Sequence, residues 1–566
     1  MICGLPPGLF LLLGAALVPV AGRFRPLVLL LAPAVALAQV LTLPANASLQ
    51  ISYLGETLEL VRVDTLSRLF GIMFALVALL GGLFALKQES KLDLSACFLY
   101  AGAALGVVFA GDLLTLFLFW EVMAVAAGLI VWAGRMIDSY GAAFRYLLVH
   151  LLGGVLLMAG IALRASSGAG LEFGVIGLEG GLASWLILAG FLVNAGAYPI
   201  SAWVGDAYPE SSYSGMLFLA SFTTKSAVYV LLRGFPGTEL LIPIGVVMAL
   251  YGIIYALLEN DMRRILAYSS VNQVGFMVTG IGIGTHMSLN GAASHAFAHI
   301  LFKGLLVAAA GSVLLRTGRR KCSELGGLFQ SMPVTMFCAV VGAFAISAFP
   351  LTSGFVSKSM INDAAAHEGM RLVWFLLTAA SAGVFLHAGI KFPWFVFFQK
   401  DSGLRPKDPP WNMQAVMIVM AALCIGIGVW PGPFYALLPF EVSFEPYTSE
   451  HVIKMLQLLL FSGLSFFVLL PLMKRTDTLS LDADWLWRVL GPMVGRGLAR
   501  ALAAVSSALG RAVAAAGSSG RRALAGLAGQ GGMSATVETG VAILVLTAAL
   551  TVALALSLDV RELLAS

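Results

Sequence analysis

The sequence predicts an all-α polytopic membrane protein with about 16 transmembrane helices, arranged around two inverted five-helix repeats that each contain a broken helix. Three observations predict this class. Of the 566 residues 59% are apolar and only 11% charged. The mean hydropathy is +0.93. Apolar runs of about 20 residues, the length that crosses a bilayer's hydrocarbon core, recur along nearly the whole chain. Such a chain leaves little room for a soluble catalytic domain. The net charge of +5 rests on arginines gathered in a few connections, so it reports membrane orientation and not nucleic-acid binding. Cys3, Cys97, Cys322, Cys338 and Cys424 are scattered without a C-x-x-C pair, which argues against an iron–sulfur cluster or structural zinc held by this chain alone. No cofactor is expected, and electron chemistry, if any, belongs to a partner.

The first apolar run, Leu9 to Val20, lacks the preceding basic segment of a secretory signal and is followed by Arg23 and Arg25, so it reads as a retained span. If those arginines are cytoplasmic, every second connection downstream should be basic. The pattern continues with Lys87 and Lys91, Arg135 and Arg145, Arg263 and Arg264, then Arg316 to Lys321. It ends with Lys400, Arg405 and Lys407, and with Lys474 and Arg475. The alternate connections are acidic, with Glu172 and Glu179 in one and Glu441, Glu445 and Glu450 in another. An even number of spans, with both termini outside a cell inner membrane, satisfies this alternation. One turn predicted to be cytoplasmic, Trp203 to Ser212, breaks it by carrying Asp206 and Glu210.

Two spans are interrupted. Tyr198-Pro199 lies in the seventh and Phe349-Pro-Leu-Thr-Ser-Gly354 in the twelfth. Proline removes a backbone donor, so both helices should open near mid-membrane. Spans 4 to 8 and 9 to 13 then form the repeat units. Beyond them, Met493 to Val513 places Val494, Leu498, Leu502, Val505, Leu509 and Val513 on one helical face and Arg496, Arg500 and Arg511 opposite, a basic interfacial helix. The chain divides into N-terminal helices (1–94), the core (95–400), additional spans (401–480), the amphipathic segment (481–535) and a final span (536–566).

An Asp, Lys or Arg at the centre of a span costs about 2.5 to 3.5 kcal/mol, so ionisable residues inside apolar runs need a reason. They are Glu121, His150, Lys225, His295, His299, Lys303, Lys358 and Lys391. The row His295, His299, Lys303 is spaced by four and so lies on one face, where imidazole and a desolvated amine can pass protons through short water bridges. Two packed histidines with a structural lysine is one alternative. A His/His metal site is the other, weakened because no carboxylate or thiol lies within the same turns. Glu121 and Lys225 suit either a relay or a structural ion pair. Lys358, just past a helix break, has solvating backbone groups at hand. Lys391 stands near a span end and can snorkel, and His150 reads as a packed core histidine.

Phe117-Leu-Phe-Trp-Glu121, the stretch Asn194-Ala-Gly-Ala-Tyr-Pro-Ile-Ser-Ala-Trp-Val-Gly-Asp206, the His295/His299/Lys303 row and Gly354-Phe-Val-Ser-Lys358 carry a resemblance. Together they resemble the antiporter-like membrane subunits shared by respiratory complex I and Mrp-type multisubunit sodium/proton antiporters. The resemblance runs from about Ser95 to Lys400. Leu258-Glu-Asn-Asp-Met-Arg-Arg264 and Leu325-Gly-Gly327 make it most similar to the D-type subunit of the Mrp antiporters. The resemblance implies a hydrated axis at mid-membrane that carries protons over Glu121, Lys225, His295, His299, Lys303 and Lys358, with Asp206 as the family's aspartate after the first break. One position departs: Asn194 stands where the family has the lysine that pairs with the glutamate at position 121. An amide does not exchange protons at ordinary pH, so Glu121 must use Lys225 or the first-half switch is missing.

The resulting expectation is a proton-translocating subunit of a sodium/proton antiporter, working with other membrane subunits. A proton-pumping subunit of a complex I-like or hydrogenase-like redox complex is the first alternative. A scaffold or coupling subunit that has lost transport at Asn194 is the second.

Overall fold

The computed structural model describes residues 5–53, 56–471, 482–483, 485–491, 493–508 and 511. Helices α1 (Gly8–Leu17) and α2 (Arg25–Thr42) lead into a hairpin of β1 (Ser48–Tyr53) and β2 (Glu56–Arg62), followed by α3 (Thr65–Phe84), α4 (Lys91–Phe109), α5 (Leu113–Ala133) and α6 (Ser139–Ser166). The next group holds the short or broken elements: α7 (Leu182–Ala195), α8 (Ala202–Ala207), α9 (Gly215–Leu219) and α10 (Thr223–Gly234). Then follow α11 (Leu241–Leu258), α12 (Met262–Ile283), α13 (His286–Thr317), α14 (Pro333–Ile346), α15 (Ser353–His367) and α16 (Arg371–Val384). Helix α16 continues through π turns at Phe385–Lys391 and Trp394–Phe398, ahead of α17 (Trp411–Val429), α18 (Gly432–Tyr435) and α19 (Ser449–Val468).

Side chains that accept orphan backbone donors start many of these helices. Asp64 caps α3 in a reciprocal box with Ser67, and Ser90, Asp112, Asp261, Thr285 and Thr448 cap α4, α5, α12, α13 and α19. Both predicted interruptions are present, between α7 and α8 and between α14 and α15. Gly196 closes α7 with φ +73°, a left-handed conformation that a side chain would disfavour. A third interruption at Ala220–Phe222 separates α9 from α10. Nothing in the residue pattern had marked it, because no proline stands there.

The hairpin is a departure from the all-α expectation. It pairs antiparallel with Leu49 opposite Val61 and Ile51 opposite Leu58, and buries Leu58, Val61 and Val63 against the bundle. Gly111 donates to the Glu59 carbonyl and Asp112 accepts from the Glu59 N–H, so the hairpin covers the α4–α5 turn. Its strands lie inside what reads as a connection between apolar runs.

Among the described residues, eleven helices are long and apolar enough to cross a membrane, and three shorter apolar helices accompany them. The count differs from about sixteen because broken helices divide one crossing into pieces and because α12 carries Ser269, Ser270, Asn272 and Gln273 on its buried surface. The predicted final span lies outside the described residues. Residues 493–508 are helical, with Val494, Leu498, Leu502 and Val505 exposed along with the rest; Leu509 and Val513 lie outside the described set. One compact unit ends at Trp485 and a second begins at Leu486.

The first unit has a buried centre and a greasy rim. Helix α13 runs 32 residues and packs against α3, α10, α12, α14, α15 and α17. The outer face of α6 exposes Leu147, Leu148, Leu151, Leu152 and Val155, which in water would be an aggregation surface and in a bilayer faces lipid. Polar groups therefore concentrate inside, reversing the arrangement of a soluble bundle. The chain is a multi-pass membrane protein.

Candidate functional site

A helix end leaves carbonyls without an intrahelical donor, and at two of the three breaks and at the end of α11 a buried lysine fills that need. Lys225 is fully buried in the first turn of α10, and its Nζ donates to the Ala220 carbonyl at 2.6 Å and to Thr224 Oγ1 at 3.1 Å. Lys358 in α15 donates to the carbonyl of Ile346, the last residue of α14, at 3.3 Å, with Phe276 5.2 Å away. Lys391 does not snorkel: it is 5% exposed and donates to the carbonyls of Leu257 at 2.5 Å and Glu259 at 2.6 Å, at the C-terminus of α11. Negative partial charge at a helix C-terminus favours a cation in each place.

The row on α13 is central and fully buried. His295 hydrogen-bonds Ser357 through Nδ1 at 3.0 Å and Gln273 through Nε2 at 2.9 Å. Its ring centroid is 6.3 Å from that of His299. Among the described residues, neither nitrogen of His299 nor Nζ of Lys303 has a partner. A packed structural histidine or lysine would be satisfied, since an orphaned buried polar group costs about 1 to 3 kcal/mol or more. Among the described residues no group of three His, Cys, Asp or Glu could hold a metal ion.

Glu121 stands apart from these cations. Its Oε1 accepts no hydrogen bond and lies over Gly154, where an added Cβ would come within 2.0 Å. Asn194, fully buried with both amide atoms unpartnered, faces the adjacent Gly153, its Oδ1 3.5 Å from where a Cβ would stand. The two glycines of α6 thus make room for Glu121 on one side and Asn194 on the other. Lys225 does not supply the pair suggested for Glu121, because its hydrogen bonds run to Ala220 and Thr224. His150 stacks on Tyr146 at 3.8 Å, meets Trp203 edge-on and bonds the Tyr146 carbonyl through Nδ1 at 3.0 Å.

The acidic turn has a local explanation. Arg145 grips Asp206 at 2.6 and 2.9 Å and Asp138 at 2.5 Å, while Arg320 pairs with Glu210 at 2.8 Å and with Asp261 at 2.9 Å. Arg263, read from sequence as an orientation charge, is fully buried instead. Its guanidinium donates to the carbonyls of Pro209, Ser211 and Ser212, each at 2.8 Å, and so shapes this turn.

Residue-pattern reasoning missed four polar groups here. His387 is buried in the π turn after α16, bonded among the described residues through Nδ1 alone, to the Gly383 carbonyl at 2.8 Å, and Lys303, Lys391 and Lys358 are the charges that act on it. The π turn is a frequent mark of functional sites, and its one sequence signal is Pro393, just beyond its end. Asn272, Gln273 and Ser357 surround His295. Asn272 and Gln273 are ordinary polar residues in a helix and carry no motif, and Ser357, although it stands in the stretch Gly354 to Lys358, has no charge to single it out.

A broken-helix bundle with a buried row of lysines and histidines is the geometry that the comparisons meet. Residues 110–385 match the family model described as NADH:quinone oxidoreductase/Mrp antiporter, TM. These residues belong to that antiporter-like family. The A/B component of a probable K(+)/H(+) antiporter of Rhizobium meliloti is 27% identical over 66% of this chain, which spans only 41% of that protein's length. Hydrogenase-4 component B of Escherichia coli is 26% identical over 66% of this chain and 63% of its own length. Among solved structures, a chain of the archaeal membrane-bound sulfane sulfur reductase superposes with a TM-score of 0.71 at 23% identity, covering 96% of this chain and 99% of that one. A chain of the Mrp complex from Dietzia sp. DQ12-45-1b gives 0.68 at 19% identity, over 81% and 99%. The antiporter-like fold is therefore shared between antiporter and respiratory assemblies. All the path candidates from Glu121 to Lys358 fall inside the matched segment, and Lys391 falls just beyond it.

Proposed function

We propose that this protein is the proton-translocating subunit of a multisubunit monovalent cation/proton antiporter of Mrp type, most similar to its D-type subunit, with sodium as the exchanged cation. The observation that carries this reading is the row His299–Lys303, buried at the centre of the bundle without partners among the described residues and flanked by lysines at helix breaks. Groups that exchange protons must be free to change partners, and a satisfied structural network is not. Protons enter over Glu121 and Lys225, pass His299 and Lys303, and leave by way of His387 toward Lys358 and Lys391. The complex lies in the cell inner membrane, with Arg145, Arg263 and Arg320 on the cytoplasmic side, and other membrane subunits complete it. Exchange in vesicles containing the assembled complex tests the reading: Lys358→Ala should abolish it, and retained exchange with normal assembly overturns it.

The likeness to hydrogenase-4 component B and to the sulfane sulfur reductase supports a second reading, in which the same path is driven by electron transfer in neighbouring subunits. The proteins that copurify in mild detergent separate the two. Small antiporter subunits support the first reading, and hydrogenase-like or quinone-reductase subunits support the second.

A further inference from the structure

We infer that a chain of amides from α11 and α12 locks neutral His295 into a single tautomer, and that Ser357 is the residue through which its other nitrogen gains and loses a proton. The lock starts at the Ala249 carbonyl, which can only accept. Asn272 Nδ2 lies 2.7 Å from it, so Asn272 must present its oxygen to the next group. That group is Gln273 Nε2, 2.5 Å from Asn272 Oδ1. Gln273 is thereby oriented with Oε1 toward His295 Nε2 at 2.9 Å. Turning either amide would set two acceptors or two donors face to face. An oxygen that can only accept requires the proton on Nε2.

The opposite nitrogen is switchable. Nδ1 is 3.0 Å from Ser357 Oγ, which is also 2.9 Å from the Ser353 carbonyl. One hydroxyl proton cannot serve both. With neutral His295, Ser357 donates to Nδ1; with imidazolium, Nδ1–H donates to Ser357 and the hydroxyl turns to Ser353. The two protonation states differ by one hydroxyl rotation, with every heavy atom in place. Amides do not relay protons at ordinary pH, so the Nε2 side is a closed end. His295 therefore loads and unloads at Nδ1, as a store beside the path and not as a link that protons cross.

The charges facing this ring are Lys358 from α15, Lys225 from α10 and His299 on its own helix. Helix α12 contributes the apolar ring of Phe276, 6.4 Å from the His295 centroid and 5.2 Å from Lys358 Nζ. Loading from Lys358 is balanced: the ammonium gives up the proton that Nδ1 gains, and the net charge of the site is unchanged.

The inference rests on the proposed proton path only for its transport consequence. Solid-state NMR of the assembled complex with 15N-labelled histidine tests the lock directly, the His295 signals being assigned by their loss in His295→Gln. In neutral His295, Nε2 should be protonated and Nδ1 bare, and Gln273→Leu should yield a mixture of tautomers. A protonated Nδ1 with a bare Nε2 in the unaltered complex, or one unchanged tautomer in Gln273→Leu, overturns it. In vesicles, Ser357→Ala should lower proton flux about tenfold or more and alter its pH profile, and Ser357→Thr should restore both. Full flux in Ser357→Ala overturns the role of Ser357. If the tautomer behaves as expected while even the unaltered complex moves no protons, the fault lies in the proposed function and not in the lock.

Discussion

The amine of Lys358 lies 3.3 Å from the carbonyl oxygen of Ile346, across the break between α14 and α15. Lys225 meets Ala220 in the same way across the α9–α10 break, and Lys391 meets Leu257 and Glu259 where α11 ends. Lys303 is the exception, buried in an unbroken helix with no partner among the described residues. The four lysines are thus of two kinds, and substitution should separate them. Lys358→Met removes a cation from a helix terminus and should destabilise by about 1 kcal/mol. Lys303→Met removes an orphaned amine and should leave stability unchanged or raise it by about 1 to 3 kcal/mol. Both should abolish proton flux. Thermal unfolding of the purified complex, set beside flux in vesicles, checks the contrast; a Lys303→Met complex that melts well below the unaltered one would contradict it.

Arg145 joins Asp206 to Asp138 while Asp206 is almost wholly withdrawn from solvent. Arg145 is a principal partner of this buried charge, so Arg145→Ala should destabilise by up to about 3 to 5 kcal/mol. The double change Arg145→Ala with Asp206→Asn should recover much of that loss, because the carboxylate that Arg145 balanced is gone. Equal melting temperatures for the single and double variants would show that the pair contributes packing and not charge.

How legible this was depends on the kind of signal. Apolar runs and the alternation of basic turns mark a bilayer protein because hydrophobic matching acts on whole segments. Pro199 and Pro350 mark two breaks because proline removes a specific donor. The break at Ala220–Phe222 has no such residue, whereas the π turn at His387 ends just before Pro393, which lacks the N–H that the preceding carbonyls would use. Buried charges are conspicuous in apolar runs, so Lys225, Lys303 and Lys358 stand out. Gln273 and Ser357 acquire meaning only once α12 and α15 are brought against His295. The same holds for Lys391, whose carbonyl partners are more than a hundred residues away in sequence.

Asp64 links the start of α3 to α10 and should give the fold an acid limb. Burial opposes its ionisation, but Arg233 at 2.7 and 2.9 Å and the Ser67 N–H at 2.8 Å outweigh this and hold its carboxyl below the usual carboxylate range. A depressed folded value means the contribution is complete above the unfolded value of about 3.9 and is lost as pH falls through the lower folded one. With the carboxylate about a third exposed, the contribution is about 1 kcal/mol or less. Asp64→Asn should therefore melt slightly lower than the unaltered protein at pH 7, with the gap closing below about pH 4. A gap that persists unchanged into acid would contradict the assignment.

Asn194 decides whether the first half of the path is complete. Its amide atoms have no partner, and it flanks Gly153 while Glu121 lies over the neighbouring Gly154. A lysine is longer and more flexible than asparagine, and the surface of α6 bared at Gly153 and Gly154 leaves it room to extend from position 194 toward Glu121. Asn194→Lys should therefore bring an ammonium against the Glu121 carboxylate and convert two orphaned groups into one pair. Proton flux should rise several-fold if the missing cation limits transfer, and the gain should vanish in Asn194→Lys combined with Glu121→Gln. Unchanged flux in a normally assembled Asn194→Lys complex would mean that Glu121 already exchanges protons with Lys225 by a route that bypasses position 194. The double variant separates these cases, because only a gain that depends on Glu121 reports a restored pair.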